Sequence, residues 1–68
     1  MDKNELKALS EKILTYRAKH NLSGAIFCEK CNITLQTLYA IENCKQNPSK
    51  MTLRKILNVI EGEKNETN

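Results

Sequence analysis

Apolar residues recur along this chain at spacings of three and four, in blocks separated by short polar breaks. In the first block Leu6, Leu9, Ile13 and Tyr16 fall on one helical stripe, with Arg17 and His20 on or beside it. Asp2 or Asn4 can cap its start. The segment HNLSG ends it, since Asn21 tolerates left-handed backbone and Ser23 is a good cap for a following helix. A short second helix is predicted over 24–31, with Phe27, Cys28 and Cys31 inward and Ile26 turned away. Asn32 then supplies a turn, Ile33 an apolar plug and Thr34 a cap. The third helix, predicted over 34–43, turns Leu38 and Ile41 inward and leaves Thr34, Leu35, Gln36, Tyr39 and Asn43 toward the other side. Pro48 cannot continue a helix, so CKQNPS is a loop. The stretch TLRKILNVIEG, 52–62, is a fourth helix with Leu53, Ile56, Leu57 and Ile60 on one face and Gly62 as its stop.

No strand pattern, internal repeat or linker interrupts this series, so the fold class is all-α. Residues 1–62 form one small bundle of four or five helices, and EKNETN at 63–68 is a polar, flexible tail. A chain of 68 residues buries only about 60% of its unfolded surface, which leaves no room for a catalytic domain or a deep cleft. Aromatic residues make up 4%, so Leu, Ile and Val must build the core.

The net charge is +3, and its distribution matters more than its size. Between Asn43 and Ile60 stand Lys45, Lys50, Arg54 and Lys55 with no acid among them, while Glu61, Glu63 and Glu66 gather in the tail. Such asymmetry suits a surface facing a polyanion, or a solvated face. No apolar run approaches the ~18–20 residues of a membrane span, and MDKNELKALSEK has no signal-peptide core. A cytoplasmic location is expected, and the odd count of three cysteines fits a reducing compartment.

The stretch LSGAIFCEKCNITLQTLYAIENCKQNPS resembles the helix-turn-helix of phage repressors and Cro proteins, the XRE-like family. The residues that carry the resemblance are Leu22–Ser23, Glu29–Lys30, Asn32–Thr34, Ile41-Glu42-Asn43, Lys45 and Asn47–Ser49, in a register running without gaps from about Ile13 to Ile60. The resemblance implies a repressor/Cro-like bundle in which the second helix crosses the DNA backbone and the third lies in the major groove. It implies base-reading positions at Thr34, Leu35, Gln36 and Tyr39, with Ala40 beside them. Gln36 offers the donor–acceptor pair that reads adenine, Thr34 can bond a base edge or a phosphate, and Leu35 can pack on a thymine methyl. Tyr39 can do either, depending on its reach. Ser23, Asn43, Lys45 and Gln46 fall where the family binds phosphates, which set register without reading sequence. Arg17 and Glu42 match a charged brace between the first helix and the end of the third.

The chain also departs from the family pattern. Gly24 stands where a phosphate-holding Gln is usual, and Ala25 and Ile26 follow where polar residues are common. Cys44 replaces the usual Gly at a position that often needs positive φ, a conformation costly for other residues. Lys50 occupies an apolar position, with Met51 beside it, and Leu35 brings an apolar side chain to the reading helix. Ile26, Leu35 and Tyr39 thereby define a small apolar patch suited to a protein partner.

Cys28, Cys31, Cys44 and His20 have the composition of a zinc set. Only Cys28 and Cys31 are closely spaced, however, and both face inward on a helix, where cysteine packs as a small hydrophobe. Neither a helix N-terminus nor a βαβ pattern accompanies them, as a redox pair would need. His20 is explained by its place at the end of the first helix, where the dipole favours a cation. No metal or other cofactor is expected. No nucleophile–base pairing can be identified, so no enzymatic activity is expected either. The expected function is a sequence-specific, DNA-binding transcriptional regulator of phage or mobile-element type, acting as a homodimer on double-stranded, operator-like DNA. The alternative is a helix-turn-helix scaffold adapted to protein binding, such as an antirepressor, antitoxin or inhibitor.

Overall fold

A computed structural model of the chain describes residues 1–62. Among them lie four helices and no strand: α1 (Lys3–His20), α2 (Gly24–Cys31), α3 (Leu35–Glu42) and α4 (Lys50–Ile60). Each start is secured by a side chain that satisfies backbone N–H groups the helix leaves unpaired. Of the two candidate caps for α1, Asp2 is the one used. Its Oδ1 accepts from the Glu5 N–H at 2.8 Å while Glu5 Oε1 accepts from the Asp2 N–H at 3.0 Å, a reciprocal capping box. Ser23, Thr34 and Ser49 cap α2, α3 and α4, each accepting from the N–H three residues on at 3.1 Å.

The ends of α1, α2 and α3 share one geometry. A single residue takes left-handed backbone, Asn21 at φ 54°, Asn32 at φ 60° and Cys44 at φ 57°. The N–H of the next residue then returns to a carbonyl in the last turn: Leu22 to Arg17 at 2.8 Å, Ile33 to Cys28 at 3.1 Å and Lys45 to Ala40 at 2.8 Å. These reversals make the α1–α2 and α2–α3 connections only a few residues long, and α3 folds back against α1 while α2 packs against α3 and α4.

The core is built by the residues that the helical spacing turns inward. Leu6, Leu9 and Ile13 come from α1, Phe27, Cys28 and Cys31 from α2, Leu38 and Ile41 from α3, and Ile56 from α4. Leu53, Leu57 and Ile60 are half-buried against this cluster rather than enclosed by it, as are Tyr16, Leu22 and Ile33. Phe27 is fully enclosed and meets the Tyr16 ring edge-on at a 6.0 Å centroid separation. Truncating it to Ala would cost about 3–5 kcal/mol.

Four boundaries differ from the sequence-based expectation. Thr34 and Asn43 flank α3 as caps rather than belonging to it. Helix α4 begins at Lys50, two residues before the predicted 52, because Ser49 provides a start ahead of the first core-facing residue, Leu53. Gly62 does not act as a left-handed stop: no glycine among the described residues has positive φ, and Glu61 at φ −111° is the cap of α4. The predicted tail at 63–68 lies outside the described residues.

Candidate nucleic-acid interface

The distal end of α3 is tied to α1 at one residue by two independent bonds. Glu42 Oε2 accepts from Arg17 Nη1 at 2.6 Å, and the Glu42 carbonyl accepts from the Ser10 hydroxyl at 2.8 Å. Arg17 is held in turn by its Nε, which donates to the Leu22 carbonyl at 3.2 Å. The ion pair is partly shielded, with 21% of the Arg17 side chain and 11% of the Glu42 side chain exposed. Ser10 is buried and satisfies a carbonyl that the end of a helix leaves without an intrahelical partner. The predicted brace is therefore present and has a third member that the sequence reading missed.

The face of α3 opposite Leu38 and Ile41 is turned outward. Gln36 is exposed and its amide makes no hydrogen bond among the described residues, so both donor and acceptor remain available. The Thr34 hydroxyl is more occupied, accepting from the Thr37 N–H and bonding the Thr37 hydroxyl at 2.9 Å. Asn43 uses its side-chain amide at home, donating to the Tyr39 carbonyl at 2.8 Å. Ser23 Oγ accepts from Ile26 N–H at 3.1 Å, which leaves its hydroxyl proton free to donate outward. Lys45 and Gln46 are exposed in the loop after α3, with Lys50 and Arg54 exposed beyond them on α4. Lys55 differs from these, being half-buried with its Nζ donating to the Asn32 carbonyl at 3.3 Å.

The apolar patch expected from Ile26, Leu35 and Tyr39 is exposed at all three positions, by 44%, 39% and 47%. Leu35 and Tyr39 converge on Gly24, which they bury. A Cβ at position 24 would lie 3.0 Å from the Tyr39 hydroxyl oxygen and 3.3 Å from Leu35 Cδ2. The unusual glycine at the start of α2 is thus matched to the two side chains lying on it, a fit that only the folded chain reveals.

The cysteines do not assemble a site. Among the described residues no group of three or more His, Cys, Asp or Glu side chains is placed to hold a metal ion. Cys28 and Cys31 are buried free thiols, whereas Cys44 is exposed beyond the far end of α3. Burial pushes the Cys31 thiol up to about 11, with Cys28 adding to the effect. Burial also raises Cys28, reinforced by the Glu42 carboxylate and opposed by Arg17. Both stay protonated near neutral pH and serve as packing groups rather than thiolate ligands or nucleophiles. His20 is exposed in the last turn of α1 and lies against the Tyr16 ring, the centroids 4.2 Å apart and the planes tilted by 39°.

A short capped helix, a tight left-handed turn and a second helix with an outward polar face, braced at its far end to α1, make a helix-turn-helix. A helix-turn-helix family model matches residues 13–64, most of the chain. The chain belongs to the repressor/Cro-type, XRE-like helix-turn-helix family. Neither the curated proteins nor the solved structures yield a match. Membership in this family supports DNA binding by a helix-turn-helix regulator. Among the described residues, no helix is long and apolar enough to cross a membrane.

Proposed function

We propose that this helix-turn-helix protein is a sequence-specific transcriptional regulator, of phage or mobile-element type, that reads the major groove of operator-like DNA with α3. The observation that carries this reading is the free Gln36 amide on the exposed face of a helix whose far end is fixed by Arg17 and Ser10. A held helix with an unsatisfied amide suits bidentate recognition of adenine. Thr34, Leu35 and Tyr39 surround Gln36 on the DNA-facing surface. Ser23, Asn43, Lys45 and Gln46 hold phosphates, and Lys50 and Arg54 extend the basic margin. Residues 1–62 form the DNA-binding domain, working as a homodimer whose two reading helices enter successive major grooves about 34 Å apart.

Selection of bound duplexes from a random-sequence pool, repeated with Gln36→Ala and across a salt series, tests the proposal. A consensus is expected, with binding that weakens steeply as salt rises and a variant that relaxes one or two base positions. Weak binding without a consensus, identical in the variant, would refute it.

A second reading is favoured by the exposure of Ile26, Leu35 and Tyr39: a helix-turn-helix that binds a protein as antirepressor, antitoxin or inhibitor. Under that reading Ile26→Glu abolishes partner binding. Under the first it leaves DNA affinity nearly unchanged.

A further inference from the structure

The geometry points to Tyr39 as a residue that bonds the DNA backbone rather than a base, with Gly24 as the seat that holds it there. This inference rests on the DNA-reading proposal above and assigns a role within it. Tyr39 lies on α3, yet its hydroxyl oxygen and its Cε1 are 3.0 Å and 3.4 Å from where a Cβ of Gly24 would stand. The ring therefore extends from the reading helix across to the first turn of α2 and packs there, instead of projecting freely from α3. A side chain at position 24 would press on the ring more tightly than ordinary packing allows and push its hydroxyl outward. Leu35 Cδ2 closes the same seat from the preceding turn of α3, at 3.3 Å.

Two consequences follow from this placement. Contact with α2 restricts the ring to a narrow range of side-chain rotation, so its hydroxyl is presented at a defined place. That place is on the helix that crosses the sugar–phosphate backbone when a helix-turn-helix docks, and not over the base edges in front of α3. The Tyr39 hydroxyl has no hydrogen-bond partner among the described residues, and the side chain remains about half exposed. No acid stands in the first turn of α2 to repel a phosphate oxygen. A phenol in this position donates its proton to a backbone oxygen and sets register, leaving sequence discrimination to Gln36 and its neighbours.

The test compares wild type, Tyr39→Phe, Gly24→Ala and the double variant. Each is used in duplex selection and in anisotropy titrations of several selected duplexes at fixed salt. Tyr39→Phe removes only the hydroxyl and is expected to weaken every duplex roughly tenfold, as loss of a hydrogen bond to a charged acceptor does, without altering the consensus. The phenol is uncharged, so the dependence of affinity on salt should stay unchanged. Gly24→Ala is expected to weaken binding in the same uniform way, because its methyl displaces the hydroxyl. The double variant should bind no worse than Tyr39→Phe, since removing the hydroxyl also removes the closest clash.

Circular dichroism melts confirm that each variant is folded before titration. A consensus that changes at a base on Tyr39→Phe overturns the backbone role, as does affinity within twofold of wild type. Full affinity in Gly24→Ala overturns the role of the seat. A wild type that yields no consensus at all overturns the DNA-reading proposal itself, a distinct result.

Discussion

Cys44 occupies the left-handed position that ends α3, and replacing it with glycine should stabilise the protein. At φ 57° its Cβ crowds the neighbouring carbonyl, which costs an L-residue about 1–2 kcal/mol. Glycine avoids that strain but loses more backbone freedom on folding, a penalty of roughly 0.5–1 kcal/mol. The Cys44 side chain is exposed, so its removal forfeits little packing. The two closing bonds, Cys44 N–H to the Ile41 carbonyl at 2.9 Å and Lys45 N–H to the Ala40 carbonyl at 2.8 Å, involve only backbone and survive the change. The net gain for Cys44→Gly is about 0.5–1 kcal/mol, and at ~4–8 °C per kcal/mol for a domain of this size Tm should rise by roughly 2–8 °C. Asn21 and Asn32 hold the same conformation at the ends of α1 and α2, so Cys44→Asn should fall between glycine and the wild type. Cys44→Val, β-branched, should melt lowest of the four. Thermal melts followed at 222 nm under reducing conditions read the order directly. If Cys44→Gly melts no higher than wild type and Cys44→Val melts with it, the strain assigned to this residue does not exist.

Other expectations follow from the brace and the core. Ser10→Ala should lower stability by about 1–2 kcal/mol in urea unfolding, because the Glu42 carbonyl loses the donor that satisfies it. Glu42→Gln should cost a similar ~1–2 kcal/mol, between the ~0–1 of an exposed pair and the ~3–5 of a fully buried one, since solvent still reaches both side chains. Stability should also fall in alkali. The folded state holds the Cys31 proton up to about 11, whereas the unfolded chain releases it near 9, so the native state binds more protons in that window. The contribution is fully present below pH 9 and is lost as pH rises toward 11, by roughly 2 kcal/mol. Urea midpoints of wild type and Cys31→Ala at pH 8 and pH 10.5 isolate it, because the variant should lose less over the same interval.

Much of this architecture could be read from local chemistry. Ser23, Thr34, Asn21 and Asn32 do in the folded chain what their residue types imply, because caps and left-handed turns depend on a few adjacent residues. The positions of the core residues follow from helical spacing for the same reason. Ser49 shows where that reasoning falls short: the hydrophobic stripe of α4 starts at Leu53, so the earlier start set by its cap was not visible in the stripe. Ser10 was illegible because its partner is a carbonyl 32 residues away, which no local pattern announces. Gly24 was legible only as a missing side chain. Its meaning, a place for Tyr39 and Leu35, exists once α2 and α3 have packed. Within the candidate interface, the positions of Gln36 and Lys45 came from the resemblance to the helix-turn-helix family, and their exposure agrees with an outward role. The home bonds made by Thr34 and Asn43 emerge only from coordinates.

The double attachment at Glu42 also has a dynamic consequence. Helices ordinarily fray from both ends, but α3 is hydrogen-bonded to another helix by backbone and side chain at its last residue, while its first turn has the local Thr34 cap and the packing of Leu35 on Gly24. The helix should therefore behave as a cantilever, clamped where Ser10 and Arg17 grip it and compliant toward Leu35 and Gln36. In amide hydrogen exchange this reverses the usual symmetry, with the amides of Ile41 and Glu42 outlasting those of Leu38 and Tyr39. The compliant end is the one that carries Gln36, so the protein can adjust its reading side chains to DNA while the base of the lever stays fixed to the core.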